Sequence, residues 1–302
     1  MKRILLTVII GLWVGCSAPP VDRHAVEGQN DSLKIEIKNE KNKSSPSYPR
    51  VEIEGTEVRT LVSRYTLQSY DLYIKFPMGY EAGKNYPVLY VLDAEVNFGG
   101  VSYIIQRLIR DELIPRILLV GIADHGETDE DAYYTIRQLD FTSTIDKQFT
   151  RKAGGAAHFL DFLESELFPF IEGNYKTAPS DRALYGHSLG GLFGFYSMLN
   201  RPALFNKYIL LSPSLWWGNK SMLNEIKTVA LRPRPLTLYV ATGEMEGEMV
   251  DDQLKMAELL VTKNPEYLFI KSEILKNETH RSIFGAGFTN GLRFVYGKQK
   301  SH

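Results

Sequence analysis

Cysteine is almost absent from this chain of 302 residues, in which Cys16 is the only one. A single cysteine excludes an intrachain disulfide framework, and its place near the N-terminus excludes a cysteine nucleophile in the folded region. An excess of charge of one sign is also missing, because the formal net charge is −1. The chain therefore lacks the basic footprint of a nucleic-acid-binding protein, and we expect no nucleic-acid partner.

The apolar run at the N-terminus is too short to span a bilayer. Residues 4–15 form a run of about a dozen residues, whereas a membrane-spanning helix needs ~20. Because the run follows Met1-Lys-Arg, it is typical of a signal peptide. Residues 1–16 resemble a bacterial lipoprotein signal, in which Cys16 becomes the lipidated first residue, although Trp13 stands where leucine is usual. The alternative is ordinary cleavage after Ala18; both predict export to the bacterial cell envelope, and the periplasm is the expected compartment.

The next 33 residues (residues 17–49 of the sequence) have few large apolar side chains and many Pro, Ser, Asn, Lys and Glu residues. Too little surface could be buried there to offset the entropy of ordering, so we predict a flexible tether. The folded domain is predicted over residues 50–297.

Strand and helix patterns alternate along this domain. Residues 51–60 and 63–76 alternate apolar with polar side chains, which predicts antiparallel strands at a sheet edge. Continuous apolar runs predict buried parallel strands at 86–92, 116–122, 182–185, 208–212, 236–241 and 267–275. Helical spacing occurs at 101–112, 159–171, 192–199 and 253–262, whereas 124–144 is predicted to be a long functional loop. The predicted fold is a single α/β domain with a mostly parallel central sheet flanked by helices.

The stretch with the clearest chemistry is Gly-His-Ser-Leu-Gly at 186–190. It has the G-x-S-x-G form, in which a serine sits on a sharp turn between a strand and a helix with its hydroxyl exposed. The flanks supply that context, because a short apolar run precedes the turn and a run of apolar and small residues follows it. Ser188 is the candidate nucleophile.

A serine nucleophile needs a base, and imidazole has the matching pKa. Of the six histidines, only His280 and His302 follow both the serine and the predicted final strand, and His302 is the terminal residue. His280 therefore fits the chain order of serine, acid and histidine in such enzymes. The other five fail on position: His24, His125, His158, His187 and His302. The acid should follow the 236–241 strand, where Glu244, Glu246, Glu248 and Asp251 all qualify and spacing does not separate them.

Acyl transfer also needs two backbone N–H donors for the developing oxyanion. One is expected from Leu189, the residue after the nucleophile, and the other from the loop at 93–95 after the 86–92 strand. Trp216 and Trp217 follow a strand end on the same rim, so we expect at least one of them to line the substrate pocket.

With these residues placed, the sequence resembles the esterase D-like "putative esterase" branch of the α/β-hydrolases, and most of all enterochelin esterase-like proteins. The resemblance covers about residues 50–297. Its matching stretches begin at Tyr70, Tyr86, Arg137, Gly186 and Ser212 and end with the late His280.

This resemblance implies the α/β-hydrolase fold and an ester hydrolase with no metal and no organic cofactor. It carries over Ser188 as the nucleophile, His280 as the base and Glu246 as the acid. It also implies Glu95 as the second oxyanion donor, with Ala94 in place of the usual glycine. Arg137, which begins one of the matching stretches, is a candidate substrate-binding residue.

The hypothesis that follows is an exported serine esterase that works through an acyl-enzyme on Ser188. Expected substrates are small-molecule siderophore esters or the acetyl and feruloyl esters of polysaccharides, and a membrane is expected as a partner only through lipid on Cys16. Two alternatives remain open at this point. One is an envelope acyltransferase that uses the same triad, and the other is a non-catalytic binding lipoprotein on a hydrolase scaffold.

Overall fold

A computed structural model of the chain describes residues 51–126, 129–149, 152–229, 234–263 and 266–297. The predicted signal peptide, Cys16 and the tether lie outside the described residues and stay predictions. Within the described ranges, no helix is both long and apolar enough to cross a membrane.

In the described part of the chain, eight strands form one sheet. They are β1 (Thr56–Val62), β2 (Ser69–Lys75), β3 (Tyr86–Val91), β4 (Leu118–Asp124), β5 (Thr177–His187), β6 (Lys207–Leu211), β7 (Leu236–Gly243) and β8 (Leu268–Leu275). Their order in the sheet is β1-β2-β4-β3-β5-β6-β7-β8. β1 pairs antiparallel with β2 and β2 pairs antiparallel with β4, whereas every pair from β4 to β8 is parallel. The mostly parallel sheet with antiparallel N-terminal strands at one edge is therefore confirmed.

The central strands are buried on both faces, which explains why they appear in the sequence as continuous apolar runs. In β3, Val88 and Tyr90 contribute to one hydrophobic cluster, and Leu89 and Val91 contribute to a second. Successive side chains of a strand point to opposite faces, so the two clusters lie on opposite sides of the sheet.

Eight α-helices cover these faces in the described part of the chain. They are α1 (Ala94–Arg110), α2 (Glu130–Phe141), α3 (Ala156–Phe162), α4 (Phe168–Asn174), α5 (Leu189–Asn200), α6 (Trp217–Thr228), α7 (Glu248–Lys263) and α8 (Phe284–Tyr296). α1 and α8 contribute to the cluster that contains Leu89, and helices α2 to α7 contribute to the cluster that contains Val88. A single π-helical turn, Leu163–Leu167, joins α3 to α4.

Two predictions of local structure are wrong. The stretch 124–144 contains α2, where a long loop was expected; its N-cap Asp129 accepts a hydrogen bond from the Ala132 backbone N–H, and Arg137, Asp140 and Phe141 form a buried face at helical spacing. α1 also begins at Ala94, seven residues earlier than the spacing predicted. The turn that precedes it needs no glycine, because Asp93 itself takes the left-handed conformation with φ of 54°.

Candidate active site

Ser188 stands on the sharp turn between β5 and α5, with φ of 59° and ψ of −117°. This is a strained conformation for a residue with a side chain, and such strain is concentrated at functional sites. The turn needs Gly186, because a Cβ at that position would lie 2.2 Å from the carbonyl oxygen of Gly190. The backbone is held by hydrogen bonds from Ser188 N–H to the Leu211 carbonyl and from Ser214 N–H to the Ser188 carbonyl, both 3.0 Å long.

His280 lies in the loop between β8 and α8, and its Nδ1 is 2.7 Å from Oε2 of Glu246. Glu246 ends a short 3₁₀ turn that directly follows β7. Its other oxygen, Oε1, accepts hydrogen bonds of 2.6 Å from Ser212 Oγ and from the Gly243 backbone N–H. The Glu246 side chain is only 3% exposed, whereas that of His280 is 40% exposed.

The three donors keep Glu246 ionised in spite of its burial. Burial acts to raise the pKa of this carboxyl, but the hydrogen bonds from His280, Ser212 and Gly243 outweigh it, and the pKa lies below its usual value. Gly243 is required beside this carboxylate, since a Cβ there would lie 2.3 Å from the Glu278 carbonyl oxygen. An ionised carboxylate on Nδ1 leaves Nε2 of His280 free to act as a base.

The other three acids that the spacing left open lie elsewhere. Glu244 accepts a hydrogen bond of 3.0 Å from the Asn277 backbone N–H, and Glu248 and Asp251 belong to the first turn of α7. Among these four acids, only Glu246 has a hydrogen bond to His280 in the part of the chain that the structure describes.

Ser188 and His280 line the same cleft, which has a volume of about 420 Å³. Ser188 Oγ lies 3.2 Å from Ser214 Oγ, and the described residues show no hydrogen bond between Ser188 and His280. Catalytic hydrogen bonds are often long in the absence of substrate and shorten when it binds. The other lining residues are Asp93, Val96, Asn97, Tyr133, Tyr134, Arg137, Tyr185, His187, Arg281 and Phe284.

The two predicted oxyanion donors both lie at helix N-termini. Leu189 is the first residue of α5 and Glu95 is the second residue of α1, and the first four N–H groups of a helix have no partner within it. Glu95 as a residue is exposed, and only its carboxyl group is partly desolvated by neighbouring atoms. Desolvation of this carboxyl and the negative charge of Asp93 raise its pKa to about 7, and a hydrogen bond from the Glu95 backbone N–H to its own carboxyl acts in the opposite direction. This N–H therefore has to leave the carboxyl before it donates to an oxyanion.

Arg137 is turned toward the protein. Its Nε and Nη2 donate hydrogen bonds of 2.7 and 3.0 Å to the two oxygens of Asp93, and the two side chains are only 8% and 3% exposed. Nη2 also lies 3.4 Å from the carbonyl oxygen of His187. Arg137 thus connects the turn before α1 to the turn that carries Ser188, and its predicted contact with substrate stays a prediction.

Four carboxyl groups lie around this arginine. Asp93, Glu95, Asp124 and Asp140 line one narrow pocket with Arg137, and they are called the acidic group below. Burial and the charge of Asp93 raise the pKa of Asp124 to about 6, and burial raises the pKa of Asp140 to about 7, opposed by hydrogen bonds from Tyr70 and Gln68. One arginine does not neutralise four carboxyl groups in one pocket, so the raised pKa values of Glu95, Asp124 and Asp140 place their titration near neutral pH.

The two predicted tryptophans differ in exposure. Trp217 is 2% exposed, and its Nε1 donates a hydrogen bond of 2.9 Å to the Thr144 carbonyl, which places it in the core. Trp216 is half-buried and packs against Phe149, with ring centroids 5.1 Å apart. Neither lines the cleft that contains Ser188 and His280, and a contact of either with a large substrate stays a prediction.

Sequence reasoning missed the polar residues that support the site. Ser212 and Ser214 bond to Glu246 and Ser188, and Asp93 pairs with Arg137. The available signal is the resemblance to the esterase family, which includes the stretch from Ser212 to Trp217 and the stretch that begins at Arg137. Their roles depend on contacts between distant strand ends, which sequence spacing does not show.

Comparison with known proteins shows the family of the chain. The model of the family described as "Putative esterase" matches residues 63–285. The chain belongs to this family. Among curated proteins, the esterase is 29% identical over 264 residues to ferri-bacillibactin esterase BesA of Bacillus subtilis, which covers 80% of this chain and 90% of that protein. It is 27% identical to the apo-salmochelin esterase of Escherichia coli, over 77% of this chain and 76% of the relative.

A solved structure, the BES protein from Bacillus cereus, superposes on the esterase with a TM-score of 0.73 and 25% identity, over 83% of this chain and 99% of that one. The fold is therefore that of the α/β-hydrolases of this family. Family and relatives together identify the protein as a carboxylic-ester hydrolase of the enterochelin esterase type.

Proposed function

We propose that the protein is a serine esterase in which Ser188 is the nucleophile, His280 the general base and Glu246 the residue that orients it. The observation that carries the proposal is the 2.7 Å hydrogen bond between His280 Nδ1 and Glu246 Oε2, at the edge of the cleft that Ser188 lines. An ionised carboxylate at Nδ1 fixes the tautomer in which Nε2 accepts a proton, and it stabilises the imidazolium that forms.

In the proposed reaction, substrate binding displaces Ser188 Oγ from Ser214 toward His280. Nε2 of His280 takes the hydroxyl proton while Oγ attacks the ester carbonyl, and the backbone N–H groups of Leu189 and Glu95 donate to the oxyanion. Collapse of this intermediate releases the alcohol, which receives the proton from His280. A water that the same histidine deprotonates then attacks the acyl-enzyme, so the acid is released and Ser188 is restored.

The proposed substrate class is a siderophore ester. BesA and the salmochelin esterase carry siderophores in their names, and the cleft has side chains that suit an anionic aromatic acyl group. Tyr133 and Tyr134 line it on one side and the exposed Arg281 on another. Arg281 has no ion pair within the described ranges, so its guanidinium is available to an anionic ligand. Export on the signal at 1–16 is part of this proposal.

The test is hydrolysis of a substrate panel by the wild-type protein and by Ser188→Ala. The panel holds a catecholate trilactone, feruloylated and acetylated xylan oligosaccharides, and p-nitrophenyl acetate and butyrate. We expect the trilactone to be the preferred substrate and Ser188→Ala to lose at least ~10³-fold in kcat/KM. The matched control is Ser197→Ala, because Ser197 is buried in α5, the helix that follows the nucleophile, and does not line the cleft.

Three results would contradict the proposal. Retention of wild-type hydrolysis by Ser188→Ala would remove Ser188 as the nucleophile, and preference for the xylan esters would replace the substrate class. A third result concerns an added sugar or alcohol acceptor. If more acyl groups were transferred to this acceptor than released as free acid, the protein would be an acyltransferase instead.

A further inference from the structure

His187, the variable residue of the serine motif, makes a contact that the reaction described above does not use. Its ring Nε2 lies 2.7 Å from the backbone carbonyl oxygen of His280, and the two rings are 4.6 Å apart between centroids. We propose that His187 is a positioning residue, which holds the loop of the catalytic base at the correct distance from Ser188. This inference rests on the proposed roles of Ser188 and His280.

The direction of the hydrogen bond follows from its partner. A carbonyl oxygen only accepts, so Nε2 of His187 carries the proton and donates it. Burial, together with the neighbouring His280, lowers the pKa of His187 to about 4. His187 is therefore neutral at the pH of catalysis, and it neither takes the proton of Ser188 nor adds a positive charge beside the imidazolium of His280.

The backbone of His187 is fixed independently of its side chain. As the last residue of β5 it pairs with Leu211 of β6, and its carbonyl oxygen lies 3.4 Å from Nη2 of the buried Arg137. The side chain thus extends from a rigid strand end to the loop between β8 and α8. Sites placed on strands and helices hold their geometry better than sites on loops.

The contact from His187 fixes a part of His280 that the hydrogen bond to Glu246 leaves free. The bond from Nδ1 to Glu246 sets the rotation of the His280 ring, and the bond from His187 sets the position of the main chain from which the ring extends. The remaining hydrogen bonds near His280 run within the loop, as from the Thr279 backbone N–H to Ser282 Oγ, or to the turn after β7, as from the Met245 N–H to the Glu278 carbonyl. A misplacement of about 1 Å between base and nucleophile is enough to cost ~10²-fold in rate.

The experiment compares His187→Gln, His187→Asn and His187→Leu. The amide nitrogen of glutamine reaches about as far as Nε2 of histidine and donates a hydrogen bond, the amide of asparagine is shorter, and leucine has no donor. We expect Gln to retain kcat within about fivefold of wild type, Asn and Leu to lose ~10- to 100-fold in kcat, and KM to change by less than about twofold in all three. His125→Gln is the control, because His125 is exposed and contacts Asp71 away from the cleft.

Two readouts separate positioning from folding. The rate constant for covalent labelling of Ser188 by a fluorophosphonate reports how well the base is placed, and the final labelled amount reports the folded fraction. We expect the rate constant for labelling to be lower than that of wild type in His187→Asn and His187→Leu, and close to that of wild type in His187→Gln. Equal rate constants in the three variants, whether all at the wild-type value or all equally reduced, would overturn the role of His187. Hydrolysis by Ser188→Ala at the wild-type rate is a different result, and it would overturn the proposed function and this inference together.

Discussion

The carboxylates on the two sides of the catalytic cleft differ in what surrounds them. On one side, Glu246 is 3% exposed but receives hydrogen bonds from an imidazole, a hydroxyl and a backbone N–H. On the other side, the acidic group places four carboxyls around one arginine. The pKa of Glu246 lies below its usual value, whereas the pKa values of Glu95, Asp124 and Asp140 rise to about 7, 6 and 7.

The comparison shows that burial alone does not fix the charge of a carboxyl group. Desolvation of the carboxyl groups favours the neutral form on both sides. Hydrogen-bond donors to both oxygens reverse that preference for Glu246, whereas the acidic group has too few donors to reverse it. The esterase thus keeps a charge where a base must be oriented, whereas Glu95, Asp124 and Asp140 titrate near neutral pH.

The largest expected effect comes from removing the charge of Glu246. In Glu246→Gln, Ser212 and Gly243 still donate to the side-chain oxygen, so the amide nitrogen faces His280 and donates to Nδ1. This fixes the proton of His280 on Nε2, where it no longer accepts the proton of Ser188. We expect kcat/KM for p-nitrophenyl butyrate to fall ~10³- to 10⁴-fold, with the melting temperature close to that of wild type.

Glu244→Gln and Glu248→Gln are the matched controls for this substitution, because both acids lie near the end of β7 without contact to His280. They are expected to remain within about threefold of wild type in the same assay. A loss in either control as large as that in Glu246→Gln would remove Glu246 from its proposed role.

The second effect concerns the pH dependence of folding stability, to which the buried Asp140 contributes. Burial raises the pKa of Asp140 from 3.8 to about 7, so the folded state binds this proton more tightly than the unfolded state does. The free energy of unfolding therefore falls as the pH rises from about 4 to 7. Asp140→Asn keeps an acceptor for Tyr70 and has no charge to bury, so we expect the fall between pH 5 and pH 8 to shrink by roughly 2 kcal/mol.

Urea unfolding at both pH values measures this difference, and Asp131→Asn is the control, because Asp131 is exposed on the same helix α2. A pH dependence in Asp140→Asn that equals that of wild type would show that Asp140 is ionised in the folded protein, as Glu246 is. Asp140 and Glu246 would then not differ in charge, and the comparison between the two sides of the cleft would fail at Asp140.

The smallest effect tests whether the number of hydrogen-bond donors sets the charge of the Glu246 carboxyl group. Ser212→Ala removes one of the three hydrogen bonds to this carboxylate. A hydrogen bond to a charged acceptor contributes about 1.5–3 kcal/mol, so we expect kcat/KM to fall roughly 10- to 100-fold. Ser197→Ala, which removes a buried hydroxyl outside the cleft, should leave kcat/KM unchanged. Equal activities of Ser212→Ala and wild type would show that the other two donors suffice.

Much of the fold could be predicted from the sequence, because the local patterns are strong. The apolar runs of the parallel strands follow from burial on both faces, and the alternation in β1 and β2 follows from their place at the sheet edge. The helix α2 was missed because its buried face contains Arg137 and Asp140. Charged side chains in a core position hide the apolar period by which a helix is recognised.

Only part of the candidate site could be predicted from the sequence, because local patterns identify some of its residues and tertiary contacts identify the rest. Ser188 belongs to a local motif and His280 follows from chain order, whereas spacing left Glu246 among four acids. The choice depends on a turn that brings its two oxygens to Ser212, Gly243 and His280 at once. Such convergence of three strand ends is a property of the tertiary structure, and the same is true of the contact between His187 and the loop of His280.

The central claim is that Ser188 is the nucleophile and that the pair of His280 and Glu246 activates it. The most direct measurement is peptide mapping by mass spectrometry after reaction with a fluorophosphonate, together with the rate of ester hydrolysis as labelling proceeds. The account predicts one adduct, on Ser188, with hydrolysis lost in proportion to labelling and with labelling at least ~10²-fold slower in Glu246→Gln. An adduct on another residue, or hydrolysis that persists when Ser188 is fully labelled, would contradict it.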